Sequence, residues 1–171
     1  MPNANVNPNA LHKIDLANEQ SVLAVDDVPL RRAVEIVLED SRQAAATVSI
    51  AVVDDPTIHE LNRAYLRHDY PTDVLSFSLG EPGEPIDGQI VVSAETAMAR
   101  AAEYGWPAEH ELLLYVVHGA LHLIGHDDKS PDAKSAMRAA ERRILAMLNI
   151  SQPESSDATD ETTSHEEQQA T

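Results

Sequence analysis

Leu112-Leu113-Leu114-Tyr115-Val116-Val117-His118-Gly119-Ala120-Leu121-His122-Leu123-Ile124-Gly125-His126-Asp127-Asp128 is the stretch on which the reading of this chain turns. Leu112, Leu113, Val116, Val117, Ala120 and Leu121 recur at helical spacing over much of the circumference. Such a pattern predicts a helix buried on most sides, central to its domain and opened by Pro107. His118 and His122 stand four apart, so their rings leave one face a turn apart, where two imidazoles can grip one metal ion. Gly125 can end the helix with positive φ. The returning chain then brings His126, Asp127 or Asp128 round as a third ligand.

Outward from this helix, the flanking segments read as a layered α+β domain. Ser21-Val22-Leu23-Ala24-Val25 is expected to be a first strand, and Pro29 to open a helix through about Arg42 with Leu30, Val34, Val37 and Leu38 on one stripe. Thr47 to Val53 is dense in β-branched residues and reads as a strand ended by Asp54-Asp55-Pro56. A helix is expected from Thr57 to about Leu66, strands over Val74–Leu79 and Gln89–Ser93, and a Gly/Pro-rich loop over Gly80–Pro85. Thr96 to Tyr104 is a short helix closed by Gly105. A last helix runs from about Pro131 to Leu148, with Ala136, Ala140, Ile144 and Met147 inward. The expected fold is α+β: one domain, a mixed sheet of about four strands packed by about five helices, with the histidine helix central.

The 171 residues suit a single domain spanning about 14–150. Residues 1–13, rich in Asn and Pro, and residues 151–171, rich in Glu, Gln, Ser and Thr, have too few apolar groups to offset ordering entropy and are read as disordered. No apolar run approaches the roughly 20 residues that cross a bilayer. The N-terminus lacks the charge and apolar run of a secretory signal, so a cytoplasmic location is expected. The chain has no cysteine, so a metal site must use His and carboxylate ligands. Of the net charge of −17, six acidic groups lie beyond Ser151, leaving 23 acidic against 12 basic residues in the body. That balance argues against broad nonspecific attraction to nucleic acid, and DNA is not an expected partner. A local basic groove remains compatible with it.

Imidazole and carboxylate suit a borderline divalent ion such as Zn2+. Three protein ligands leave a fourth tetrahedral position for water, whose pKa then drops toward about 7. The plainer alternative is a set of helix residues satisfied by ordinary hydrogen bonds. In metallopeptidases with a His-Glu-x-x-His helix, the residue after the first histidine is the general base. Gly119 occupies that position here.

The chain resembles the YbeY-type endoribonucleases, also called UPF0054 proteins, which mature ribosomal RNA. Their signature His-Gly-x-Leu-His-Leu-x-Gly-Tyr-Asp-His is matched from His118 through Gly125 and again at Asp127. A second segment, Leu-Asn-x-x-Tyr-Arg-x-x-Asp-x-Pro-Thr-Asp-Val-Leu-Ser-Phe, aligns with Leu61 through Phe77. A third, Gly-Asp-Ile-Val-Ile-Ser, aligns with Gly88 through Ser93. The resemblance covers about residues 45–148. It implies a zinc-dependent, single-strand-directed RNA endonuclease acting on rRNA with the small ribosomal subunit, in 16S rRNA 3′-end processing and ribosome quality control.

The departures bear on the site. The family's third metal-binding histidine falls on Asp128, while His126 occupies a position usually aromatic, so the expected ligands are His118, His122 and Asp128, with His126 as alternative. The family's arginine after the tyrosine falls on Leu66, and Arg67 lies one residue later. A guanidinium there could hold a phosphate bidentately, and a solvated helix-end cation is the plainer reading. Gln89 replaces a family Asp. Asp127 is a candidate to fix a ligand histidine's tautomer. Thr72-Asp73 are expected to shape the turn before the strand. His59, His68, His110 and His165 lack ligand spacing, and Arg63, Arg67, Lys129 and Arg138 are a candidate phosphate-facing patch. Two readings stand beside the nuclease: a non-catalytic ribosome-assembly factor with a structural metal, and a metallopeptidase.

Overall fold

The computed structural model describes residues 11–153, together with the backbone of residues 169–170. Four strands form the body of one mixed sheet: β1 (Leu11–Asn18), β2 (Ala45–Val53), β3 (Val74–Ser78) and β4 (Ile86–Ser93). They lie in the order β1-β2-β4-β3, with β1, β2 and β4 parallel and β3 antiparallel to β4. A two-residue strand β5 (Gln169–Ala170) pairs parallel to β3, with Gln169 opposite Ser76. The remainder of the expected disordered segments, residues 1–10, 154–168 and 171, lies outside the described residues.

Five helices complete the fold: α1 (Asp27–Asp40), α2 (Asp55–Leu66), α3 (Ala94–Tyr104), α4 (Ala108–Leu123) and α5 (Pro131–Met147). Four begin on an acceptor side chain. Asp26 takes the amide of Val28, Asp54 that of Thr57, Ser93 that of Thr96 and Ser130 that of Ala133, satisfying otherwise orphaned donors. Only α4 starts without a side-chain cap, at Pro107. Its stability comes from burial.

Period-two alternation sends the strands' side chains to two unequal cores. Val48, Ile50, Val52, Val74, Ile90 and Val92 face the larger one, with α1, α3, α4 and α5. Val53, Leu75 and Val91 face a smaller cluster under α2, closed by Ile58 and edged by Leu61, Leu66 and Phe77. Helix α4 runs through the larger layer, against α1, α3, α5, β3 and β4. The sequence places it there too.

The first strand is the main correction. Residues 21–25 form bends and irregular chain, and β1 starts at Leu11, inside the segment read as disordered. Ile14 and Leu16 pack on the core while Leu11, Lys13 and Asp15 point outward, so this edge strand shows a weak, half-polar alternation. Leu23 and Val25 are partly buried without being a strand. Gln20 holds that segment, accepting from the Leu23 amide and donating to its carbonyl. These bonds replace a ladder. In α5 the inward residues are Met137, Ala140, Glu141, Ile144 and Leu145, whereas Met147 is exposed and Ala136 is too.

Candidate metal centre

Gly119 sets how near α4 comes to the sheet. A Cβ there would lie 2.7 Å from Ile90 Cγ2 and 2.9 Å from Ser76 Oγ. Ser76 Oγ donates to the Gly119 carbonyl at 3.0 Å across a buried contact. Any larger residue would push the helix off β3 and β4. The position where a His-Glu-x-x-His metallopeptidase carries its glutamate therefore faces packed sheet here.

The helix stops as its sequence predicts. Gly125 has φ +106°, its amide donates to the His122 carbonyl, and the His126 amide donates to the Leu121 carbonyl. This is the paired closure of a Schellman turn, which requires a residue comfortable at positive φ. The reversed chain carries Asp128 back beneath the helix, where it is 5% exposed, beside His118 at 8% and His122 at 5%.

These three side chains converge. His118 Nε2 and His122 Nε2 are 3.0 Å apart, and Asp128 Oδ2 lies 3.7 Å from the first and 3.9 Å from the second. One ligand atom from each falls within 4.8 Å of the others, the sole such group of three or more among the described residues. Bonds of about 2.0–2.1 Å in a tetrahedral site put neighbouring ligand atoms roughly 3.3 Å apart, and the three separations bracket that value. Three buried lone-pair donors facing one point repel one another unless a proton or cation lies among them. The donor set therefore fits a divalent ion such as zinc.

A fourth side chain, with no counterpart among the residues singled out by spacing or motif, touches this group. Glu141 of α5 places Oε1 2.6 Å from His118 Nδ1, and both residues are buried. The available signal was a carboxylate on the apolar phase of α5, beside Ala140 and three residues before Ile144. Asp127, the sequence-based candidate for such a role, is exposed instead, and its carboxylate accepts from the Lys129 amide in the turn leading to Ser130. His126 is half-buried and is not among the three converging groups.

A second buried polar cluster lies toward the start of α4. Glu111, 3% exposed, accepts from Trp106 Nε1 at 2.8 Å. Burial raises the Glu111 carboxyl above its ordinary range; the Trp106 bond and the Arg100 charge oppose the shift, and Asp73 adds to it. Asp73 accepts from the Val74 amide and from Thr72 Oγ1, shaping the turn into β3 as the sequence suggests.

The sequence profile described as Endoribonuclease YbeY matches residues 15–149. The chain belongs to the endoribonuclease YbeY family. An endoribonuclease YbeY of Rhodopirellula baltica is 47% identical over 113 residues, covering 65% of this chain and 58% of that protein. Those of Pelotomaculum thermopropionicum and Carboxydothermus hydrogenoformans are 37% and 39% identical, covering 79% and 80% of this chain and 96% and 97% of theirs. A solution structure from Thermotoga maritima superposes with a TM-score of 0.55 at 23% identity, covering 91% of this chain and 98% of that one, and so shares the fold.

Two positions aligned with YbeY motifs can now be placed. Leu66, where the family motif has arginine, is half-buried at the edge of the smaller core. Arg67 follows as the α2 C-cap, left-handed at φ 61°, ψ 29°, and exposed. It has left the helix. Arg63 is engaged by Glu60 at 2.7 Å; it lies on α2 and Arg67 just past its end, whereas Arg138 belongs to α5 on the other side of the sheet. His59 bonds Asp69 at 2.9 Å, His68 stacks on Tyr70, and His110 meets Trp106 edge-on. His165 lies outside the described residues.

Proposed function

We propose that this chain is a zinc-dependent, single-strand-directed endoribonuclease that acts in 16S rRNA 3′-end maturation and ribosome quality control. The observation that carries the reading is the convergence of His118, His122 and Asp128 on one buried point at the end of α4. Those three side chains would hold the ion, with Asp128 rather than His126 as third ligand. Bound there, zinc supplies Lewis acidity toward a phosphoryl oxygen and acidifies coordinated water near neutral pH. The protein's share is positional. Ser76 and the bare Gly119 fix the height of α4 on the sheet, the Gly125 turn returns Asp128, and Glu141 orients His118. Exposed Arg67, out of the helix at the end of α2, is assigned to phosphate contact rather than to the chemistry. The partners in this reading are single-stranded rRNA and the small ribosomal subunit, and the location is the cytoplasm.

The test is cleavage of single-stranded rRNA fragments by purified protein, with loss of cleavage on chelation and in His118→Ala. Near-complete burial of all three candidate ligands favours a second reading, a non-catalytic assembly factor whose metal ties the Asp128 turn to α4. Chelation that unfolds the protein, with no cleavage by the metal-replete wild type, would replace the first reading by the second.

A further inference from the structure

Glu141 is the sole charged member of the buried face of α5, among Met137, Ala140, Ile144 and Leu145. A carboxylate in such surroundings is costly unless a donor meets it. The group that meets it, at 2.6 Å, is His118 Nδ1. An ionised carboxylate only accepts, so the proton on this contact belongs to the imidazole. With Nδ1 protonated, the neutral ring carries its lone pair on Nε2, the atom facing His122 Nε2 at 3.0 Å and Asp128 Oδ2 at 3.7 Å. Which imidazole nitrogen stays bare is decided by the bond the other one makes. In water a neutral imidazole prefers its proton on Nε2, which would turn a hydrogen rather than a lone pair toward the ion.

We propose that Glu141 is a positioning residue of the metal centre: it locks His118 in the Nδ1–H tautomer and so presents Nε2 as a lone pair before any ion arrives. This role rests on the metal reading above and adds to the centre a residue that lies outside all three family motifs. It also assigns α5 a task besides closing the core. The plainer role, a polar tie between α5 and α4, would alter stability alone.

Full-length protein with 15N-labelled histidine, kept metal-free at mildly alkaline pH, reads the tautomer directly through long-range 1H–15N couplings. Wild-type His118 is expected to show a protonated Nδ1 and a bare Nε2. Glu141→Met, which removes the acceptor at similar volume, is expected to move the proton to Nε2 and to weaken zinc binding, measured by chelator competition, about 10–100-fold. Glu141→Gln keeps an acceptor oxygen and should retain the tautomer with a smaller loss. A wild-type His118 protonated on Nε2 overturns the proposal without any variant being made. So does a Glu141→Met protein that melts lower yet binds zinc as tightly as wild type. Should wild type bind no zinc at all, the metal reading falls on its own, and the tautomer still decides the part played by Glu141.

Discussion

The two ends of α4 each bury polar groups, and they do so for different physical purposes. Toward its N-terminus, Glu111 receives the Trp106 indole N–H and faces Arg100, whose charge burial opposes and the carboxylates of Asp73 and Glu111 favour. The indole donor there meets a carboxylate acceptor, and opposite charges attract. Toward the C-terminus, His118, His122 and Asp128 bring two ring nitrogens and a carboxylate oxygen to one buried point, and the far side of His118 meets Glu141. The first arrangement is held by pairs within the protein, with the buried Tyr115 hydroxyl left over as a group that no hydrogen bond meets. The second is a donor set that could hold a cation. A buried polar cluster thus points to chemistry when its lone pairs converge, and to structure when its hydrogen bonds already pair off.

The sharpest way to break this contrast is to remove one converging group. His118→Ala should lower zinc affinity by about two orders of magnitude or more, since a structural zinc site worth about 10–16 kcal/mol shares that energy among a few ligands. Cleavage of single-stranded RNA should disappear with it. The same measurement on Glu111→Gln should show wild-type zinc content by elemental analysis. Equal zinc loss in the two variants would mean that α4 acts as one unit and that the distinction between its ends is false.

A smaller effect is expected where α4 meets the sheet. Gly119→Ala gains about 1 kcal/mol in helix propensity, but its methyl group must displace Ile90 and Ser76 from contacts of 2.7 and 2.9 Å. Contacts below 3.0 Å put the overpacking cost in the upper part of its usual range, about 2–3 kcal/mol, so a net loss of roughly 1–2 kcal/mol should lower Tm by about 2–8 °C. Zinc affinity should fall as well, because the helix that lifts off carries both histidines. A Gly119→Ala protein melting as high as wild type would show that the close approach is not what sets the site's geometry.

Much of this was legible in the residues, for definite reasons. The α4 segment is apolar nearly all round and capped by a glycine with positive φ, so both its central place and its ending follow from spacing. His118, His122 and Asp128 lie within eleven consecutive residues, where the helix and its turn alone bring them together. What stayed hidden depended on partners distant in the chain. Strand β1 has one neighbour and an outward face carrying Lys13 and Asp15, so its alternation is faint. Val22 to Val25 resembles a strand because apolar content does not reveal whether Gln20 supplies the bonds. Glu141 contacts a residue 23 positions away, and no local period announces that. The α5 phase is the missing clue, since placing Ala136 and Met147 inward rotates Glu141 away from His118.

The smallest predicted effect tests whether the N-terminal cluster needs the charge of Glu111. Burial raises the Glu111 carboxyl above its ordinary value of 4.5. From that value upward to the raised one, the folded carboxyl keeps a proton that the unfolded chain has released. Stability therefore falls as pH rises through this window and levels off above it. Glu111→Gln cannot ionise, and its amide oxygen still accepts from Trp106. The variant should show a flatter melting profile across the window and a Tm at about pH 7 equal to wild type or slightly higher. Thermal melts from about pH 4.5 to 7.5 give the comparison. A lower Tm for Glu111→Gln at neutral pH would mean that the ionised carboxylate is stabilised by Arg100 more than it is penalised by burial. The start of α4 would then be an ion pair whose charge the fold needs, and its likeness to the convergent site at the other end would be closer than the hydrogen bonds alone suggest.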